Sequence, residues 1–121
     1  MESFMTLTVG ALTYTGDTAR SPDSYRYLGT ANTFSHKDMV DCWRKPPIVT
    51  ATSAGKGRAF FKLTRTLTNG TIDIGDMILR IEVSVPAGSV FAQQQAVLDD
   101  AAAWLATAAA DTVLLKQQIV L

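Results

Sequence analysis

Residues 77–107 read "MILRIEVSVPAGSVFAQQQAVLDDAAAWLAT", and the period of the apolar residues changes partway through. Up to Pro86, Leu79, Ile81, Val83 and Val85 alternate with Arg80, Glu82 and Ser84. This is the two-residue period of a strand with one face in a core. After Pro86 the spacing becomes helical, and Ser89 is placed to cap the first turn. Phe91, Val97, Leu98, Ala101, Ala102, Trp104 and Leu105 then cover an arc of roughly 160°, wider than the ~100° stripe of an ordinary surface helix. A strand with one polar face, followed at once by so apolar a helix, predicts a sheet covered on one side only.

Upstream, the same alternation recurs. "FMTLTVGALTYTGD" predicts a strand or hairpin that breaks at Gly16-Asp17, and "SYRYLGT" a short strand entered through Pro22-Asp23. "DMVDCWR" alternates until Pro46-Pro47 stops it, "RAFFKLTRTLT" is a strong strand, and "TNGTIDIGD" (68–76) predicts a loop. Short connections between successive strands predict an antiparallel meander. The fold class is therefore α+β in a single domain over 1–121: strands over about 4–85 with an N-terminal hairpin, then two helices over about 89–120. The second helix, "DTVLLKQQIVL", starts with Asp111 as its expected cap. Two such helices carry more apolar surface than one face of a short meander covers, so the expectation is a homodimer with Phe91, Leu98, Trp104 and Leu105 in its packing.

With 121 residues and 47% hydrophobic composition, the chain is expected to form one globular domain with a modest core. No run of membrane-spanning length and no secretory pattern is visible, and the lone Cys42 excludes an internal disulfide and multi-cysteine metal sites. The expectation is a soluble protein of a reducing cytoplasm, with no membrane partner, metal, cofactor or small-molecule substrate. Formal charge is zero, yet the charges are segregated. Lys37 to Arg65 holds seven basic residues and two acidic ones, whereas Thr66 to the end holds two basic and six acidic.

The strand period places the charges. Opposite the helix-covered face lie Ile78, Arg80, Glu82 and Ser84 of the last strand, and Phe60, Lys62, Thr64 and Thr66 of the preceding one. Met39, Asp41, Trp43 and Lys45 follow the same register, and Tyr25 and Tyr27 are placed with them. Arg65 falls among the inward residues and is expected near an edge or against a partner. Cations that neutralise phosphates, rings that stack on unpaired bases and hydroxyls that bond base edges are what single-stranded RNA recognition uses.

"LRIEVSVP", "MVDCWRK" with its basic loop and "FFKLTRT", and the closing "LLKQQIVL" resemble the last strand, the preceding hairpin and the final helix of the coat proteins of small single-stranded RNA bacteriophages, the leviviruses. The resemblance is one of pattern and order over roughly residues 5–121. It implies an interlocked dimer whose strands join into one sheet, with helices crossing onto the partner. Dimers would build an icosahedral capsid whose interior sheet binds genomic RNA, with an operator hairpin through which replicase translation is repressed. The chain would then reside in the virion, and in the host's bacterial cytoplasm before assembly. By position the resemblance assigns RNA contact to Lys62, Thr64, Arg80, Glu82, Asp41, Trp43 and Lys45. Ile78 stands where a stacking Tyr is expected, and Asp41 where a hydroxyl is. Asn69, Gly70 and Gly75 fall in the loop that gathers at shell symmetry axes.

No catalytic residues are expected. His36 and Cys42 could form a nucleophile pair only if Cys42 were exposed and the imidazole oriented. Asp99 and Asp100, about 100° apart on a helix, cannot act as a paired acid and base. "GKGR" (55–58) lacks the Ser/Thr and helix of a phosphate loop. The competing reading is a dimeric cellular sheet-and-helix module that binds a ligand or RNA.

Overall fold

The computed structural model describes residues 6–53 and 55–119, and of residues 18–20 the backbone alone. Strands β1 (Thr6–Val9), β2 (Leu12–Ser21), β3 (Ser24–Gly29), β4 (Asp38–Lys45), β5 (Lys56–Asn69) and β6 (Ile72–Pro86) precede helices α1 (Phe91–Leu105) and α2 (Ala108–Leu114). The six strands form one sheet in sequence order, every neighbouring pair antiparallel, which is the expected meander. Pro46, without an N–H to donate, follows the last residue of β4, as the sequence predicts. The chain divides between Ala87 and Gly88 into two compact units, one of strands and one of helices. Among the described residues no helix is long and apolar enough to cross a membrane. The expected strand start near residue 4 and helix end near 120 lie outside the described residues.

Several local expectations are corrected. Gly16-Asp17 does not break the second strand. Gly16 pairs with Tyr27 and Thr18 with Arg26, so Asp17 is the extra residue of a bulge. Residues 68–76 are not a loop but the end of the β5–β6 hairpin. Asn69 pairs with Ile72, leaving Gly70 and Thr71 as a two-residue turn. Gly70 has φ 67° at the first central position, where a tight hairpin turn needs a positive φ. Leu67 pairs with Gly75 and Thr68 with Asp73, so Ile74 is extra and Gly75 lies in a bulged strand. The hairpin end is tied to the chain before β4: His36 Nε2 lies 2.7 Å from Asp73 Oδ1, and Lys37 Nζ lies 3.3 Å from Asp76 Oδ2.

Both helix caps differ from expectation. Gly88 is still turning the chain (φ 85°), and the extended Val90 precedes the first helical residue without a side-chain cap bond. Ser89 Oγ instead accepts from the Gln94 side-chain amide at 2.6 Å, which gives that polar residue of the apolar helix a local role. The second helix starts at Ala108, not at Asp111, and its cap is Thr107, whose hydroxyl oxygen accepts from the Ala110 N–H at 3.3 Å. Asp111 falls in the first turn, where its charge suits the helix dipole.

The core of the strand unit lies on one face. Tyr14 and Val40 are fully buried and Tyr27 is nearly so, with Leu7, Val9, Tyr25, Cys42, Phe61 and Leu63 packed against them. Tyr14 stands opposite Gly29, where an added Cβ would come within 2.9 Å of the Tyr14 ring and 2.8 Å of Asp38 Oδ2. Glycine at that position makes room for both. Arg65, also on this face, sits in β5 between two paired strands and not at a sheet edge. Its Nη2 donates to the Tyr14 oxygen (2.6 Å) and its Nε to Asp38 Oδ1 (3.3 Å), while the Tyr14 hydroxyl donates to the same Asp38 oxygen (2.6 Å). The expected edge or partner is therefore not needed; a carboxylate on the neighbouring strand satisfies the guanidinium.

Candidate nucleic-acid interface

The opposite face is fixed by the strand register. Asp41 pairs with Lys62 and Lys62 with Arg80; Trp43 pairs with Phe60 and Phe60 with Glu82; Met39 pairs with Thr64 and Thr64 with Ile78; Lys45 pairs with Arg58 and Arg58 with Ser84. Directly opposed residues of antiparallel strands share a face. Lys62, Thr64, Arg80, Glu82, Asp41, Trp43 and Lys45 are thus brought together on one surface, as the alternation requires.

Tyr25 and Tyr27 are not on it. They pair with Cys42 and Val40, the inward residues of β4, and pack into the core with ring centroids 5.0 Å apart. The period of "SYRYLG" is that of a strand, but its phase is the inverse of the expected one, because alternation defines two sets of residues without saying which faces in. Burial pushes the Tyr27 hydroxyl above the ordinary tyrosine range, with Cys42 and Tyr25 adding to the effect. β3 presents Ser24, Arg26 and Leu28 to the polar face instead, with Arg26 opposite Asp41.

Arg26 Nε donates to Asp41 Oδ1 at 2.7 Å, so the Asp41 carboxylate is already engaged. Thr64 shares the face by register, but only 7% of it is exposed, which leaves its hydroxyl little room for a ligand. Trp43 stacks flat on Phe60, centroids 4.9 Å apart and planes 7° apart, and Lys45 Nζ lies 5.8 Å from the Phe60 ring centroid. A shallow depression of ≈ 380 Å³ opens beside them, with Arg26, Asp41, Trp43, Lys45 and Lys62 in its lining.

The cations decide what this face can do. Among the described residues, no carboxylate lies within ion-pair distance of Lys45, Arg58, Lys62 or Arg80. Lys62 and Arg80 stand directly opposite one another, as do Lys45 and Arg58. Like charges so placed cost about 0.2–1 kcal/mol per pair, a cost that a bound anion would relieve. Arg58 and Arg26 join the site beyond the residues expected from the sequence, and Phe60, expected on this face, becomes the ring on which Trp43 stacks. Strict counting along β5 in steps of two from Lys62 reaches Phe60 and Arg58, whereas Arg26 needs the phase of β3. Ile78, at the expected stacking position, is 55% exposed. Among the described residues no group of three or more His, Cys, Asp or Glu is arranged to hold a metal ion.

No protein-family model matches the sequence, and no curated protein matches it significantly. Solved structures do match the fold. A subunit of the virus-like particle of Wenzhou levi-like virus 4 superposes with a TM-score of 0.78 at 20% identity, over 97% of this chain and 85% of that one. The virus-like particle of Beihai levi-like virus 21 gives 0.75 at 11% identity, over 98% and 97%. The capsid protein of bacteriophage GA gives 0.63 at 12% identity, over 97% and 95%.

Proposed function

We propose that this chain, which has the fold of the RNA-phage coat proteins, is the shell subunit of a single-stranded RNA phage. Two copies form a dimer, dimers assemble into an icosahedral capsid, and the polar sheet face lines the interior against genomic RNA. The observation that carries this reading is the full-length likeness, all six strands and both helices, to subunits of virus-like particles. The protein's place is then the virion, reached from the host's bacterial cytoplasm.

The surface chemistry supports the same reading. Phe91, Val97, Leu98, Trp104 and Leu105 of α1 are 72, 68, 47, 43 and 43% exposed, and α1 has no buried residue. On the core face of the sheet, Ile81 is likewise 37% exposed. A second copy, with its helices on the apolar sheet face of the first, accounts for both sets of exposed residues.

RNA contact in this reading is mainly electrostatic. Lys45, Arg58, Lys62 and Arg80 meet phosphates, and the Trp43–Phe60 pair offers a stacking surface. With Asp41 tied to Arg26 and an isoleucine at position 78, the face suits backbone contact more than base readout.

Expression of the full chain in a bacterium tests the proposal. RNase-resistant particles should appear by electron microscopy, with RNA absorbance co-eluting in the void volume. A lone monomer or dimer at every concentration and salt would overturn the shell and favour a cellular binding module.

A further inference from the structure

The segment between β3 and β4 is tied to itself before it meets the rest of the sheet. The Thr33 N–H donates to His36 O at 2.8 Å, the His36 N–H to Thr33 Oγ1 at 3.1 Å, and the Asp38 N–H to Asn32 Oδ1 at 3.0 Å. These bonds fix the backbone from which His36 and Lys37 project. Both side chains end on carboxylates of β6: His36 Nε2 lies 2.7 Å from Asp73 Oδ1 and Lys37 Nζ 3.3 Å from Asp76 Oδ2. The Thr66 hydroxyl joins the second contact, accepting from the Lys37 N–H and donating to Asp76 Oδ1, each at 2.8 Å. Three residues apart in a regular strand, two side chains point to opposite faces. The extra Ile74 changes the phase: Asp73 stands opposite Thr68 and Asp76 opposite Thr66, which puts both carboxylates on one face. The bulge thus aims two acids at two adjacent bases of another segment.

The two contacts respond to pH with opposite sign. An imidazole takes up its second proton between about pH 5 and 8, where a carboxylate is ionised. A hydroxyl can donate to a neutral ring nitrogen or accept from a protonated one, and Ser35 Oγ lies 3.2 Å from His36 Nδ1. The ring therefore gains a proton without losing either neighbour. Asp38 and Arg65 line the same depression of ≈ 340 Å³ as His36 and Lys37, but Arg65 is bonded to Asp38 and Lys37 to Asp76. Among the described residues, Asp73 is the carboxylate that answers a charge on His36. The proton adds Coulombic attraction to a hydrogen bond already in place. That attraction is fully present below the histidine range and is lost as pH rises through it. At Asp76, the bonds from Thr66 and then Lys37 hold the carboxyl below the usual carboxylate range, so its contribution is lost only as pH falls. We infer that the end of the β5–β6 hairpin is a pH-gated latch, closed in mildly acidic solution, loosened as pH rises by loss of the His36 proton and as pH falls by protonation of the carboxylates. Both members of the His36–Asp73 pair are 42% exposed. Solvent screening therefore limits the upper gate to the strength of a surface pair, about a two- to fivefold change in opening.

Hydrogen exchange of the full-length chain, read by mass spectrometry across about pH 4–9, tests the latch. Protection of peptides covering residues 68–76 is corrected for intrinsic rates and referred to the amides of β4. It should fall about two- to fivefold as pH rises through the histidine range. His36→Gln and Asp73→Asn should each flatten that limb, and the two together should flatten it no further. In His36→Gln the acid limb, governed by Asp76, should remain. His36→Lys, which carries a cation throughout, should keep protection high across the same range, and this rescue separates charge from shape. Flat protection through the histidine range in the unaltered chain overturns the latch, and so does a fall that persists in His36→Gln. A fall shared equally by the β4 amides places the effect in the whole fold and overturns it likewise.

Discussion

The two faces of the sheet are built from alternate residues of the same strands, and both carry charge. They treat it in opposite ways. On the core face, Asp38, Arg65 and Tyr14 close into a three-membered network in which every charged group has a partner. On the polar face, Arg26 and Asp41 neutralise each other while four cations are left without carboxylates among the described residues. Charge alone therefore does not mark a functional surface; charge left unsatisfied by the fold does. Removing a group from the first face should damage folding, and removing one from the second should damage only what binds there.

The largest effect is expected from Asp38→Ala, which strands the Tyr14 hydroxyl and the Arg65 guanidinium. Arg65 is 40% exposed at its side chain, so solvent compensates in part. A loss of about 2 kcal/mol in urea unfolding is expected, of the size that follows when a partly buried group is deprived of its partner. RNA retention by the folded protein should be unchanged. If Asp38→Ala is silent, the network is not what holds this face together.

Lys62→Ala with Arg80→Ala is the converse experiment. RNA content should fall, and the slope of log affinity against log salt should flatten by about 2, one unit for each phosphate left without its cation. Stability should stay within about 0.5 kcal/mol, as for surface substitutions generally. Unchanged RNA content in assembled shells would remove the polar face from the binding assignment. Lys62→Ala alone should flatten the slope by about 1.

A smaller effect should appear at alkaline pH. Burial, and then the hydrogen bond to Asp38, raises the Tyr14 hydroxyl above the ordinary tyrosine range, and the Arg65 hydrogen bond offsets this only in part. The fold favours the protonated phenol. Its contribution is fully present below the ordinary tyrosine range and is lost as pH rises through the raised value. Melting temperatures above pH 9 should fall faster for the unaltered chain than for Tyr14→Phe; parallel curves would refute the assignment.

The smallest effect belongs to Asp76. The Thr66 hydroxyl, and then Lys37, hold its carboxyl below the usual carboxylate range. The ionised form is favoured, so its contribution is present above that range and is lost as pH falls through the depressed value. Protection of the Ile72 and Asp73 amides, measured relative to their intrinsic exchange rates, should fall in acid, and Asp76→Asn should weaken that dependence.

Much of this contrast is legible in the sequence. The middles of β4, β5 and β6 alternate, with Phe60, Arg65 and Ile78 as exceptions, and the polar register that unites Lys62, Arg80 and Glu82 follows from the period. Three of the readings that fail do so for identifiable reasons. "SYRYLG" alternates whichever way it faces, and tyrosine, apolar in its ring and polar at its tip, suits either side. Gly16-Asp17 and Asn69-Gly70 carry the same kind of turn signal, yet one is a bulge inside a strand and the other a true hairpin turn; strand pairing decides between them, and composition cannot. Arg65 looks misplaced in the sequence only because its partner lies 27 residues away, on a neighbouring strand.

Cys42 carries a practical consequence. Desolvation, and then the charge of Asp41, raise its thiol above the ordinary cysteine range, so at neutral pH the sulfur stays protonated and is a poor nucleophile. It is also the one cysteine in 121 residues. A single thiol introduced at an open surface position would thus be the preferred site of attack for maleimides and similar reagents. One attachment per subunit could then be obtained without first removing the native sulfur.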